Sequence, residues 1–205
     1  MKKLCILSAA ILIIALLVPQ SAAAEVGIKG GLSFSKYSLS SSTQTVPDDK
    51  NLTAIPAGIY FSFKLGSVFA IQPEVLYFRT GMKTEGDTET DTYKSDYIQV
   101  PLLLKAHLAP SWAISPMLFA GPYGAYVLHT QTVETSGGTS VDGNMNDMIK
   151  KFDYGAVFGG GFEYKVSKAT LSLEYRYTLG LMDVSKGNGM DVKNRTMSVM
   201  LGIGF

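Results

Sequence analysis

The sequence predicts an all-β protein whose chain forms an eight-stranded antiparallel up-and-down transmembrane β-barrel. Three observations lead to this prediction. Apolar side chains alternate with polar or small ones in eight segments, the connections between these segments are alternately long and short, and the last segment ends on the aromatic residue Phe205. Successive side chains of a strand point to opposite faces, so such a segment can face lipid on one side and a crowded polar interior on the other.

Eight segments show this period of two. In chain order they are residues 26–37, 54–64, 68–79, 93–108, 112–128, 152–164, 169–179 and 195–205. Seven of them have a clear apolar face, marked in turn by Val26 and Ile28, Ile59 and Phe61, Phe69 and Val75, Leu102 and Leu104, Phe158 and Phe162, Leu171 and Leu173, and Val199 and Leu201. Each of these faces is predicted to contact lipid.

The fifth segment, residues 112–128, has a less regular pattern. Prolines or glycines interrupt it at positions 116, 121, 122 and 124. Proline lacks the backbone N–H that a central strand donates to its neighbour. Bulges are therefore expected in this segment, and its inward and outward faces are left unassigned.

The connections between the segments alternate in length. Those after the first, third, fifth and seventh segments are long and polar, and they comprise residues 38–53, 80–92, 130–151 and 180–194. The other three are short, residues 65–67, 109–111 and 165–168. Outer-membrane barrels have short periplasmic turns and longer outer loops, and an even strand count places both termini in the periplasm.

Residues 1–24 have the features of a secretory signal peptide. Lys2 and Lys3 precede an apolar run that ends at Val18, and three alanines precede Glu25. A run of this length is shorter than the roughly 20 residues that a membrane-spanning helix needs. We therefore expect a barrel domain of residues 25–205. The single cysteine, Cys5, lies in the signal segment, so no disulfide or cysteine metal site is expected in the exported chain.

Charge and hydropathy exclude several classes of protein. Removal of Lys2 and Lys3 from 18 basic residues leaves 16 against 17 acidic ones, a formal net charge of −1. Such a chain has no electrostatic basis for binding nucleic acid. No apolar run after residue 24 has the length of a spanning helix, so entry into a membrane requires strands that close on themselves.

The charged residues of the strands lie on the faces opposite the apolar ones. A secreted soluble barrel of the lipocalin type would carry its charges outside, so this polarity favours the membrane barrel. We predict an interior charge network that pairs across the lumen, because unpaired buried charges are costly. Its predicted members are Lys29, Lys64, Glu74, Lys105, Glu163, Glu174 and Arg176.

One specific pair is expected within this network. The third and fourth segments are joined around residues 80–92, and this connection is expected to place Glu74 opposite Lys105. Eight strands leave an interior that side chains can fill, so the network is expected to block the lumen. The alternative is a narrow, gated ion path through the same charges.

Four separated phrases resemble the PorT-like family of small outer-membrane β-barrel proteins, often labelled porin-like. They are Ile71 to Tyr77, Ile98 to Lys105, Gly155 to Tyr164, and Tyr175 to Leu181. The resemblance implies insertion into a Gram-negative outer membrane by the barrel assembly machinery, which reads a terminal strand ending in an aromatic residue, here Phe205. In that family the position of Gln99 is often glutamate, so one interior charge is absent here.

Residues that could carry catalysis or bind metal are few. His107 and His129 lie near opposite ends of a wall about 25 Å tall, too far apart to share one site. Residues 85–91 carry four alternating carboxylates, but the run lacks the glycine at the sixth position and the terminal glutamate of an EF-hand calcium loop and is interpreted as a solvated loop. No catalytic residue, metal or cofactor is expected.

The function expected from this pattern is that of a non-enzymatic structural or recognition protein. Its expected contacts are outer-membrane lipid, the assembly machinery, and a ligand or protein partner bound through the loops at 38–53, 80–92, 130–151 and 180–194. A narrow pore or porin-like channel is the alternative. A barrel enzyme that hydrolyses lipid or peptide comes third.

Overall fold

The computed structural model describes residues 24–40, 49–85, 89–136, 139–144, 150–182 and 191–205. Within these ranges the chain forms ten strands, and every pairing between them is antiparallel. They are β1 (Ala24–Ser40), β2 (Asp49–Ala54), β3 (Ala57–Leu65), β4 (Phe69–Glu85), β5 (Glu89–His107), β6 (Ile114–Ser136), β7 (Thr139–Asn144), β8 (Phe152–Val166), β9 (Ala169–Gly180) and β10 (Asp191–Gly204). No helix in these ranges has the length and apolar character needed to cross a membrane.

Nine of the ten described strands form the wall. Because β2 and β3 together make one wall segment, the nine close into an eight-stranded barrel, which confirms the predicted fold class. The closing seam joins β1 to β10, with Ile28 opposite Ile203 and Leu32 opposite Val199. Val26 and Phe205 exchange two backbone hydrogen bonds of 3.2 and 2.9 Å at the end of this seam. Closure leaves no unpaired edge in the wall, as a structure surrounded by lipid requires.

The second predicted strand, residues 54–64, is interrupted near its start. β2 ends at Ala54 and β3 begins at Ala57, and both pair with β1 and with β4. Pro56 lies in the gap, where it has no N–H to donate, while its carbonyl accepts a 3.0 Å hydrogen bond from the Gly31 N–H. One proline thus divides this wall segment into two strands.

We call the end of the barrel that carries the long connections the long-loop end, and the opposite end the short-turn end. The strands at the long-loop end extend farther than predicted. β4 and β5 remain paired from Phe69 opposite Ala106 to Glu85 opposite Thr90, and β6 continues to Ser136, where it pairs with β7. The predicted loops at 80–92 and 130–151 are therefore largely strand. The sequence did not predict these extensions because the residues on both of their faces are mostly polar, so no apolar alternation marks them. Their threonines and tyrosines do favour a strand.

The irregular fifth segment forms a single strand, β6, whose facing is now assigned. Ser115, Met117 and Phe119 are buried inside, and the same parity continues to Val127. The expected bulge lies beyond the prolines: Tyr97 pairs with Val127 but Asp96 pairs with His129, so Leu128 is the extra residue.

The predicted facing of the other strands is confirmed by the burial of their side chains. In β10, Leu201 is 65% exposed on the outer surface and Met200 is 1% exposed in the interior. In β9, Leu173 and Tyr175 are exposed whereas Glu174 is buried. Apolar residues therefore cover the outside of the wall and charges lie inside, the opposite of a soluble barrel.

Two glycines of β8 make room for aromatic side chains in the lumen. A Cβ atom at Gly159 would lie 2.7 Å from Cζ of Phe119, and one at Gly155 would lie 2.8 Å from Cε1 of Tyr123. Glycine in a strand often marks such a close approach. These positions allow rings from β6 to approach β8 closely, which helps to fill the interior.

Candidate functional site

Six charged side chains from five strands meet inside the barrel and form what we call the interior charge cluster. Each of them lies on the face of its strand opposite the exposed apolar residues, so all six side chains point into the lumen. The cluster consists of Lys29 on β1, Glu74 on β4, Lys105 on β5, Glu163 on β8, and Glu174 and Arg176 on β9.

Lys29 joins opposite walls of the lumen. Its ammonium lies 2.9 Å from Oε1 of Glu74 and 3.0 Å from Oε2 of Glu174. It also lies 4.6 Å from the centre of the Tyr60 ring, a cation–π distance. One lysine therefore links β1 to β4 and β9.

Arg176 contacts the same two carboxylates. It donates to both oxygens of Glu74, at 2.6 Å from Nη1 and 2.8 Å from Nη2, and it also donates to Glu174. The two-pronged contact uses the planar geometry of the guanidinium group and fixes its orientation. The Phe119 ring centre lies 5.2 Å from Cζ of Arg176, within cation–π distance.

Lys105 extends the cluster to the short-turn end. Its ammonium lies 2.9 Å from Glu163 and 3.2 Å from Glu174. The second oxygen of Glu163 lies 2.8 Å from Nε2 of His107. His107, for which the sequence predicts no catalytic role, is therefore a neighbour of the cluster.

The expected pair between Glu74 and Lys105 was wrong. Lys105 lies opposite Ala70 in the β4–β5 register, four residues from Glu74, so its contacts are with Glu163 and Glu174. Lys64 lies on the inward face of β3, but its side chain is exposed at the short-turn end, outside the cluster.

The cluster is electrically balanced. Its three cations and three carboxylates cancel in formal charge, and each cation contacts two of the carboxylates. Removing one member leaves a buried charge without its partner, which typically costs about 3 to 5 kcal/mol. The arrangement therefore holds five strands together across a narrow space.

A second cluster in the lumen is apolar, and sequence reasoning missed it. Its members are Phe78, Tyr97, Leu103, Phe119, Tyr123, Ala125, Val127 and Val157, and we call them the interior apolar cluster. The sequence did contain a signal for it. Phe78 is an even number of residues from the inward-facing Glu74, and Tyr97 from Gln99, so both rings are expected to face the lumen. Because a polar interior was expected, these inward-facing rings were not predicted to form a cluster.

Some buried polar atoms of the lumen have no protein partner within the described residues. They include Oε1 of Gln72, Oγ of Ser115, Oδ1 of Asp153 and Oγ of Ser198. The other oxygen of Asp153 accepts a 3.0 Å hydrogen bond from the Tyr123 hydroxyl. Buried polar groups of this kind are usually satisfied by water.

The remaining sequence candidates lie outside the lumen or outside the described residues. His129 pairs in register with Asp96 near the long-loop end, where Asp96 accepts a 2.5 Å hydrogen bond from Nε of Arg79. Asp87 of the acidic run lies outside the described residues. Phe205 is 69% exposed beside the β1–β10 seam, and its role as an assembly signal remains a prediction.

Comparisons with known proteins agree with this architecture. The family described as "Outer membrane protein beta-barrel domain" matches residues 19–186. The crystal structure of Neisserial surface protein A (NspA) aligns at 14% identity and a TM-score of 0.52, over 91% of this chain and all of the other. OprG from Pseudomonas aeruginosa aligns at 14% identity and a TM-score of 0.51, over 89% of this chain and 95% of the other. These likenesses concern the fold. A comparison with curated proteins found no match.

Proposed function

Because the chain belongs to the family of outer membrane proteins with a β-barrel domain, we propose that it serves as a surface recognition protein with a blocked interior. Its barrel anchors the chain in the outer membrane, and the loops at the long-loop end provide the contact surface. The observation that carries the proposal is the filled lumen, because it leaves these loops as the main surface for a partner.

Two layers support the blocked interior. In the interior charge cluster, Lys29, Lys105 and Arg176 each bind carboxylates from other strands, which ties the walls together. The interior apolar cluster fills the lumen toward the long-loop end, and Phe119 contacts both layers. An eight-stranded barrel has an interior of about the volume that such side chains occupy.

The asymmetry of the two ends supports recognition at the long-loop end. The short-turn end has connections of only a few residues, such as 66–68 and 167–168. At the other end β4, β5 and β6 extend well beyond the clusters, and β6 pairs with the added strand β7. Extended hairpins can hold a contact surface clear of the membrane, where a ligand or protein partner can reach it.

Single cysteines test the proposed exposure of the loops, because the exported chain is expected to have no cysteine. We expect a membrane-impermeant maleimide to label Ser185→Cys, in the loop that the sequence predicts at 180–194, on intact cells. Ser111→Cys, in a short turn, is the matched control and should react only after the outer membrane is permeabilised. Labelling of Ser111→Cys on intact cells, or of neither variant, contradicts the proposal.

A narrow pore is the second candidate function. The observation that favours it is the set of buried polar atoms without protein partners, such as Gln72 Oε1 and Ser198 Oγ, because they imply water in the lumen. Water along a charged lumen can carry ions if the clusters rearrange. Steady ion conductance of the unmodified protein would favour this candidate over the blocked barrel.

We also propose that the protein is not an enzyme. His107 is engaged with Glu163 at the short-turn end, and His129 lies level with Asp96 toward the long-loop end. In both arrangements the neighbour of the histidine is a carboxylate, not a hydroxyl or thiol nucleophile. Hydrolysis of lipid or peptide that disappears in His129→Ala would overturn this part of the proposal.

A further inference from the structure

A cavity of about 160 Å³ opens at the short-turn end, on the inner side of the wall. Its lining includes Lys64 from β3, Lys165 from β8, and Ser62 and Ser67. Ser62 and Lys64 alternate with the outward-facing Phe61, so the cavity faces the barrel axis and not the lipid. Glu163 of the interior charge cluster and its neighbour His107 also line the cavity, which therefore borders the cluster.

The charges that line the cavity are not balanced in the same way. Glu163 is engaged by Lys105 and His107. Glu25 accepts hydrogen bonds from neutral donors, at 2.9 Å from Thr170 and 3.4 Å from Tyr60. Lys64 and Lys165 are exposed, and the described part of the chain gives neither of them an ion pair. Two ammonium groups are therefore free to bind an incoming anion.

We propose that this cavity binds a small soluble anion that carries two phosphate or carboxylate groups. Lys64 and Lys165 supply the charged donors, and the hydroxyl groups of Ser62 and Ser67 supply further hydrogen bonds. A water molecule needs about 10 to 15 Å³ of cavity volume, so the cavity has room for roughly ten non-hydrogen atoms. Pyrophosphate and short dicarboxylates have this size and charge, whereas an oligosaccharide is too large.

Substitution of Glu25 gives a second test, in which the proposal predicts stronger anion binding instead of weaker binding. Its carboxylate lines the cavity without a cationic partner among the described residues, so it should repel a bound anion. Glu25→Gln keeps an oxygen that can accept from Thr170 and removes the charge. Anion affinity should therefore rise by about threefold or more in this variant. Damage to the fold does not produce such a gain.

Inorganic pyrophosphate, titrated into the protein folded in a non-ionic detergent at low ionic strength, is the probe. We expect saturable binding of one pyrophosphate per chain by calorimetry. Lys64→Gln and Lys165→Gln should each weaken it by about fivefold or more, since each removes one charged donor. Lys168→Gln, in the adjacent turn and outside the cavity lining, is the matched control and should stay within about twofold of the parent.

Three outcomes would overturn the proposal. They are the absence of saturable binding, equal weakening by Lys168→Gln and Lys64→Gln, and weaker binding in Glu25→Gln. Circular dichroism and the gel shift of the unheated barrel verify folding of each variant, and the lysines concerned are exposed, so their removal leaves the packed interior intact.

Discussion

Glu174 has the most cationic neighbours of any residue in the interior charge cluster. Lys29, Lys105 and Arg176 all contact its carboxylate. Glu163 contacts Lys105 and His107 and keeps 13% of its side chain exposed at the cavity. If the charge of Glu174 is removed, water cannot reach the buried cations around it. Water at the cavity can reach the site of Glu163, so loss of the two carboxylates should differ in its effect on stability.

The first prediction compares these two glutamates. Glu174→Gln should destabilise the folded barrel by about 3 to 5 kcal/mol, because it leaves buried cations without their shared partner. Glu163→Gln should cost less, since water at the cavity can solvate Lys105. Urea unfolding in lipid vesicles measures both. Equal costs, or a larger cost for Glu163→Gln, would show that the cluster is not organised around Glu174.

Coupling between Lys105 and Glu174 provides a control on this interpretation. Lys105→Met should cost less in the Glu174→Gln background than in the parent, with a coupling energy of about 0.5 to 3 kcal/mol. Additive costs would mean that the two side chains do not meet.

At the scale of elements, the strands with regular alternation could be predicted with their facing. Leu171, Leu173 and Tyr175 of β9 lie outside, and Glu174 and Arg176 lie inside, as their alternation indicates. Hydrophobic periodicity is enough for this result because one face of each strand contacts lipid. β7 and the outer parts of β4, β5 and β6 could not be predicted in the same way, because their sequences are polar on both faces.

The partners within the site were harder to predict than the strands. The turn between β4 and β5 decides which inward residue of β5 lies beside Glu74, and it falls in a polar stretch that gives no apolar register signal. All five ion pairs that join different strands of the cluster also join strands that are not neighbours in the wall, as between Lys29 and Glu74. Only the closed three-dimensional barrel brings such residues together.

A charge on the outer face of β10 tests the facing of this element. Leu201→Arg should destabilise the barrel by about 2 to 4 kcal/mol if the position lies near the bilayer midplane. Leu181→Arg is the matched control: Leu181 is also exposed but follows the end of β9, nearer the membrane surface, where the expected cost is about 0 to 1 kcal/mol. Folding titrations into lipid vesicles measure the two costs, and a larger cost at Leu181 would contradict the facing or the depth.

At the scale of the whole molecule, one design accounts for the wall and its contents. Lipid-facing apolar residues and the β1–β10 seam make a closed wall, and the two interior clusters fill it. Glycines at 155 and 159 allow the rings of Tyr123 and Phe119 to approach β8. The barrel is thereby packed at its centre, and the surface that we propose for recognition lies at its long-loop end.

Ion conductance across planar lipid bilayers tests the blocked interior most directly. The positive control replaces Lys29, Glu74, Phe119 and Tyr123 with serine, which removes one cation, one carboxylate and two rings from the lumen while keeping the remaining charges balanced. We predict no steady conductance for the unmodified protein above that of the bare bilayer, and a steady conductance for the control. A steady conductance of the unmodified protein equal to that of the control would contradict the blocked barrel.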